Sequence, residues 1–451
     1  MGETVIRVET ALLADGWSGP VTVRIAEGRI AAIAADGPAD QQADILVPSL
    51  GNLHSHAFQR AMAGLAEYRT GTEDSFWTWR SLMYRFLERI TPEQVEAIAA
   101  QLYVEMLEAG YASVGEFHYL HHQADGTAYD MPAEMGRRIA AAADATGIGL
   151  TLLPVLYCQG GTDGRPLEGG QRRFGTMPDR FAALLEDSGR ALTREDAVLG
   201  VAPHSLRAVP REALSDVGAY LPDTPIHMHI AEQVAEVTEI EAAYGARPVN
   251  WALTNLPIDR RWCLIHATQM TPRETEGLAA TGAVAGLCPI TEANLGDGIF
   301  DGARYLSAGG WFGVGSDSNI RIGLAEELRQ LEHSQRLRDR ARCVLADGAK
   351  SVGRTVFENA ARGAAQALGR GSGVIAEGAL ADLVALDGSA LPLTGRSGDR
   401  ILDGWIFAGD DRVVRDVWSA GRHVVQAGRH PAREVVEARF RTALTALMDG
   451  L

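Results

Sequence analysis

The chain has 451 residues, 46% of them hydrophobic and 22% charged, enough for one large barrel with an attachment or for two or three smaller domains. Its formal net charge of −16 sets the surface against nucleic acid and anionic membranes, and no run of about 18 apolar residues offers a spanning helix. The four cysteines, Cys158, Cys263, Cys288 and Cys343, are scattered without a C-x-x-C; they read as reduced core thiols of a cytoplasmic protein, and the acidic N-terminal stretch with Glu3, Glu9 and Asp15 has none of the pattern of a secretory signal.

In chain order, the first 47 residues read as short strands, with "VTVRIAEGRIAAIAA" forming a hairpin about Glu27-Gly28. From about Ile45, apolar runs of four to seven residues alternate with helical stretches. The runs are "ILVPSL", "ASVGEFHY", "GLTLLPVLY", "AVLGVAPHS", "PIHMHIAE", "WCLIHA", "AVAGLCP" and "WFGVGSDS". Eight strands, each followed by a helix or loop, predict an α/β protein built on a closed parallel (β/α)8 TIM barrel. Between them, "TPEQVEAIAAQLYVEMLEAG" has Thr91 as cap, Pro92 in the first turn and Gly110 as stop. "TPRETEGLAATG" repeats that grammar from Thr271 to Gly282. The segment 68–90 is long for a strand-to-helix connection, and such connections are often functional. Beyond residue 369 the β-rich character returns. The expected organisation is a barrel over 48–369, a small composite β-sandwich from 1–47 and 370–430, and a terminal helix over 431–451.

Catalytic residues of such barrels sit where strands end, on the carboxyl face. The first strand ends in "GNLHSH", giving His54 and His56, which point the same way because they lie two apart on an extended chain. The fifth gives His229 and, three residues on, Glu232; the sixth gives His266; the eighth gives Asp317. Imidazoles with a single carboxylate suit zinc or iron(II) and leave room for a water. His227 lies two residues before His229, so it also faces the barrel interior, one layer deeper; a buried structural role is expected for it. The fourth strand places His204 and Arg207 at the barrel mouth, the second ends at Tyr119, and the first loop carries Gln59 and Arg80. Two arginines suit a substrate with two carboxylates, since guanidinium pairs bidentately with each.

The motifs "GNLHSH", "HMHIAE", "IHA" and "GSDS", with a terminal "GALADLVALD", resemble the amidohydrolase superfamily over essentially the whole chain. Binuclear members commonly bridge two metals with a carboxylated lysine on the fourth strand. That strand has no lysine here, and Lys350, the only one in the chain, lies beyond the eighth strand. The resemblance implies the mononuclear, deaminase-like branch, with one divalent metal per chain, Zn2+ or Fe2+.

At finer grain, "NLHSHAFQRAMAGLAE", "SFWTWR", "VGEFHYLHH", "APHSLRAV", "HMHIAEQ" and "CPITEANLGDG" are similar to the formimidoylglutamate deiminase family of histidine degradation. Nucleobase deaminases usually carry a Ser-Asn pair after the Cys-Pro of the seventh strand, where this chain has Thr291-Glu292-Ala293-Asn294. The resemblance implies hydrolysis of N-formimidoyl-L-glutamate to N-formyl-L-glutamate and ammonia by a homodimer. Its metal ligands would be His54, His56, His229 and Asp317. Glu232, His266 and Asp317 would do the acid–base work. Gln59, Arg80, Tyr119, His204 and Arg207 would hold the small dicarboxylate amidine. A deaminase of a purine, pterin or triazine is the alternative that Phe76, Trp77 and Trp79 keep open. An inactive barrel scaffold is a second, opposed by the complete set of ligands.

Overall fold

The computed structural model describes residues 2–67 and 83–449. Eight parallel barrel strands are present. The first three are Leu50–Ser55, Tyr111–His118 and Gly149–Leu156. The fourth is split into Val198–Leu199 and Ala202–Pro203, although the sequence reads there as one run. The fifth to eighth are Ile226–Ile230, Trp262–His266, Val284–Leu287 and Trp311–Val314. Parallel ladders join the first strand to the second, third and fourth, and the fifth to the sixth, seventh and eighth. Two single parallel bridges complete the ring, Val201 to Ile226 and Ser55 to Asp317. In the first, second, third, fifth, sixth and seventh strands every residue is buried. That is why these runs read as continuously apolar and not as alternating.

The helix signals act as chemistry dictates. Thr91 caps Pro92–Glu108 and Thr271 caps Pro272–Ala280, each in a reciprocal box with Gln94 or Glu274. The terminal helix Arg433–Met448 docks on the first of these, where Arg439 Nη2 donates to Glu96 Oε1 at 2.7 Å and Arg433 pairs with Glu108.

Strands from both chain ends form one continuous eight-stranded mixed sheet. The hairpin turns at Glu27 and Gly28, both with positive φ (51° and 75°), as a two-residue turn of this hand requires. Strand Gln41–Pro48 is central, running parallel to Thr4–Leu13 and antiparallel to Leu383–Leu386. Alternation along these strands divides two cores. Ile45, Val47, Val384, Leu386 and Val417 face the barrel. Leu46, Leu383, Ala385 and Trp418 join Ile6, Val8, Val23 and Ile30 in a core of the sheet's own. One expectation fails: Cys343 is exposed and Cys158 only partly buried, so just Cys263 and Cys288 are core thiols. Cys343 sits in the surface stretch after helix Leu324–Asp339, where no apolar neighbour encloses it.

Candidate metal centre and substrate cavity

Barrel closure itself builds the centre. The Asp317 amide donates to the His54 carbonyl at 2.9 Å and the His56 amide to the Asp317 carbonyl at 3.0 Å. Only glycine at 315 permits this approach, because an added Cβ would lie 2.6 Å from the His54 nitrogen. Asp317 and His266 both adopt left-handed backbone (φ 46° and 67°), a strain on the order of 1 kcal/mol or more for each. Around Asp317 a polar lattice holds it. Asn52 Nδ2 donates to Ser316 Oγ at 2.6 Å, the Ser316 amide to Asn52 Oδ1 at 3.0 Å, and Asn319 Nδ2 to the His56 carbonyl at 3.0 Å.

Hydrogen bonds at the outer nitrogens orient the imidazoles. His56 Nδ1 lies 3.0 Å from the Phe117 carbonyl and His229 Nδ1 3.2 Å from the His204 carbonyl. Carbonyls only accept, so these nitrogens carry the hydrogens and each Nε2 presents a lone pair inward. There, His54 Nε2 is 3.1 Å from His229 Nε2. Asp317 Oδ1 is 3.4 Å from His54 Nε2 and 3.2 Å from His56 Nε2. Burial drives the His54 imidazole down to about 3 and His229 well below its ordinary range, so both are neutral. Burial alone would raise Asp317, but the adjoining His54 and His56 imidazoles hold it well below the usual carboxylate range. Lone pairs at this spacing repel unless a cation lies among them. Tetrahedral ligands about 2.0–2.1 Å from one zinc stand about 3.3 Å apart, which the observed spacings match. The four side chains thus form a His/Asp cluster that could hold a metal ion.

A second cluster adjoins the first. His266 Nε2 is 3.8 Å from Glu232 Oε1 and 3.9 Å from Asp317 Oδ2, while its Nδ1 is 3.3 Å from Glu292 Oε1. Burial opposes charge on His266, but Glu232, Glu292 and Asp317 outweigh it and hold the imidazole well above its ordinary value. Burial pushes Glu232 up to about 7, against the pull of His266. The Glu232 amide is tied to Glu236 Oε2 at 2.9 Å, which fixes the turn after the fifth strand.

These groups share a cavity of about 60 Å³ lined by His56, Gln59, Tyr119, His204, Arg207, His229, Glu232, His266 and Asp317, with Met83, Leu295 and Ser318. Gln59 Nε2 donates to the Tyr119 hydroxyl at 2.6 Å, leaving a buried Gln59 Oε1 without a partner. His204 packs its ring against Tyr157 at 4.6 Å and His229 at 5.0 Å. Arg207 pairs with no carboxylate among the described residues, and its Nε is buried and unpartnered. Burial works against its charge, but the fields of Glu236 and other neighbours outweigh that, so it remains a guanidinium. Arg80, with Phe76, Trp77 and Trp79, lies outside the described residues. His227 turns away to the Ala367 carbonyl at 2.7 Å.

Sequence reasoning passed over three carboxyl groups here: Glu236, Glu292 and Asp297. Asp297 is pushed up to about 8 by burial and by Glu232, and its Oδ2 has no partner. The only signal for Glu292 was the unusual Thr291–Asn294 stretch itself.

A closed barrel with this strand-end order of H-x-H, H-x-x-E, H and D defines a class, and the chain belongs to the amidohydrolase family, whose model matches residues 45–424. Residues 3–44 match a second model, "Formimidoylglutamate deiminase HutF, N-terminal domain". The chain is 49% identical to a formimidoylglutamate deiminase of Pseudomonas aeruginosa, over 99% of this chain and 100% of that protein. An 8-oxoguanine deaminase of the same organism is 27% identical over the full length of both. Among solved structures, an amidohydrolase from Brucella melitensis superposes with TM-score 0.95 at 51% identity, over 99% of this chain and 100% of that one. A triazine hydrolase variant shares the fold, with TM-score 0.84 at 19% identity, over 98% and 100%.

Proposed function

We propose that the chain hydrolyses N-formimidoyl-L-glutamate to N-formyl-L-glutamate and ammonia in histidine degradation. One divalent metal, zinc or iron(II), would be held by His54, His56, His229 and Asp317. The observation that carries this reading is a single cavity with two unanswered features: inward lone pairs that call for a cation, and a guanidinium, Arg207, that calls for an anion. The likeness to the Pseudomonas deiminase supports the choice of substrate.

Such a metal, once bound, would supply Lewis acidity to acidify water and polarise the amidine. Asp317 Oδ1 faces His54 and His56, so Oδ2 is the oxygen left to take a proton from the attacking water. His266 Nε2 orients that water. Glu232, raised toward neutrality, is matched to carry the proton to the terminal nitrogen. Water oxygen becomes the formyl oxygen, and the terminal nitrogen leaves as ammonia. Arg207 binds one substrate carboxylate, and Arg80 is proposed for the other. Gln59 Oε1 accepts from the amidine, with Tyr119 and His204 closing the cavity around it. We further propose a cytoplasmic homodimer; light scattering that gives a monomer at assay concentrations rejects the dimer.

The test is product analysis on metal-loaded protein with N-formimidoyl-glutamate, guanine and 8-oxoguanine. Ammonia and N-formylglutamate in equal amounts are expected. Ammonia from a purine alone would overturn the substrate, and stoichiometric glutamate with formamide would overturn the role of Glu232.

A further inference from the structure

His266 is the one residue of the acid–base set whose ring is held from behind by a carboxylate. Its Nδ1 is 3.3 Å from Glu292 Oε1, and both side chains are buried. Glu292 belongs to helix Pro289–Leu295, which follows the seventh strand. The same Oε1 accepts the Cys288 amide at 2.9 Å, so the helix start fixes the carboxylate in place. The helix is itself pinned, since Thr291 Oγ1 donates to the Ser316 carbonyl at 3.1 Å, one residue before Asp317. Since a carboxylate oxygen accepts, His266 Nδ1 must carry a hydrogen, and Nε2 is turned toward Glu232, Asp317 and the cavity.

We propose that Glu292 is a positioning residue that sets the ring orientation and the Nδ1–H form of His266, and that this is what the Thr291-Glu292-Ala293-Asn294 stretch does for the reaction. The inference deepens the proposed function and rests on it for the reaction only. Free of a carboxylate, a buried imidazole has two ring flips and two neutral tautomers to choose from. Three of those four turn Nε2 away from the cavity or leave Nδ1 without the hydrogen that the carboxylate accepts. A fixed acceptor at Nδ1 removes them before substrate arrives.

The decisive variant is Glu292→Gln. Its amide oxygen still accepts the Cys288 amide, so the helix start survives, while the charge-assisted bond to His266 is lost. In zinc-loaded protein with 15N-labelled histidine, the wild type should show a His266 Nδ1–H correlation, identified by its absence in His266→Gln. That signal should disappear or shift in Glu292→Gln. Turnover should fall roughly 10–100-fold, the usual penalty for losing an orienting partner of this kind, with KM within about twofold. Glu292→Asp, which keeps the charge on a shorter arm, should recover part of the rate. Should wild type and Glu292→Gln share both the Nδ1–H signal and kcat, Glu292 is a helix cap and the proposal fails. A fall in thermal midpoint for Glu292→Gln with kcat unchanged overturns it equally. The spectra need no substrate, so an inactive wild type would reject the proposed reaction and leave the ring assignment to be decided by NMR alone.

Discussion

Two arginines with buried nitrogens stand at opposite ends of the barrel and are treated in opposite ways. At the amino end, the Arg370 side chain is fully buried yet fully answered. Asp382 takes its Nε and Nη2, each at 3.1 Å; Asp196 lies at 3.4 Å; Arg422 closes the square on Asp196 at 2.9 and 2.7 Å. The Ala420 amide adds a further bond to Asp382 at 2.7 Å. This network ties the composite sheet to the barrel floor. At the carboxyl end, Arg207 Nε, Gln59 Oε1 and Asp297 Oδ2 are buried without partners among the described residues, and imidazole lone pairs face one another. Each buried unsatisfied group costs about 1–3 kcal/mol. Unpartnered buried atoms occur elsewhere too, Arg194 Nη1 and Trp418 Nε1 among them, but Arg207 Nε and Gln59 Oε1 belong to residues that line one cavity together with the inward-facing imidazoles. It is that convergence on a shared space, and not polar burial alone, that suits the carboxyl end to a ligand.

The largest break in this comparison is His54→Ala. Removing one of the four proposed ligands should abolish turnover, and elemental analysis should show the bound metal falling from the proposed one equivalent per chain to a small fraction. The fold should persist, because the barrel core does not depend on that nitrogen. A variant that keeps one equivalent of metal and its activity would remove His54 from the ligand set. At the opposite end, Arg370→Met should destabilise the protein by roughly 3–5 kcal/mol, since Asp382 is left buried without its charge partner while Asp196 keeps only Arg422. Denaturant unfolding should show this, while kcat of the folded fraction stays unchanged. A kinetic defect without a stability loss would invert the contrast.

Arg207→Met removes the unanswered guanidinium. The expected loss is roughly 2–5 kcal/mol in kcat/KM for the dicarboxylate amidine, because a substrate carboxylate would be left without its partner. A neutral formamidine should lose far less. Equal losses for the two would place Arg207 among the structural arginines, with Arg370.

Much of this contrast could be read before any coordinates. The eight apolar runs were legible because a barrel strand is buried on both faces. The helix starts were legible because Thr-Pro with Gln or Glu three residues on is local chemistry. His54, His56, His229 and Asp317 stand at strand ends, and strand ends of a barrel converge. What stayed hidden depends on distant partners. The parallel pairing of Thr4–Leu13 with Gln41–Pro48, and the antiparallel pairing of the latter with Leu383–Leu386, carry no local signature. The split of the fourth strand was masked by its apolar composition, and the exposure of Cys343 by its residue type. Glu292 and Asp297 approach Glu232 and His266 from the helix after the seventh strand and from the loop beyond it, a contact that spacing along the chain does not announce.

The smallest expected effect sharpens the comparison inside the cavity itself. Glu232 is buried, and burial lifts its carboxyl to about 7. A base at that value is ionised above neutrality and protonated below it. If Glu232 must be ionised to receive the proton that Asp317 takes from the water, kcat/KM must rise with pH through about 7, because the protonated carboxyl has no vacancy for a second proton. Glu232→Gln keeps the size and the hydrogen-bonding capacity but cannot titrate. Its turnover should fall roughly a hundredfold, about 2.7 kcal/mol of transition-state stabilisation, with metal content unchanged. The limb near pH 7 should vanish from what activity remains. Stopped-flow rates across pH 5–9, with metal measured on the same samples, decide between two outcomes. A variant that keeps the limb assigns it to another group, with Asp297 the nearest candidate. A variant that loses its metal makes Glu232 a brace for His229, and the open, unbraced character of this end of the barrel would then stop at the ligands.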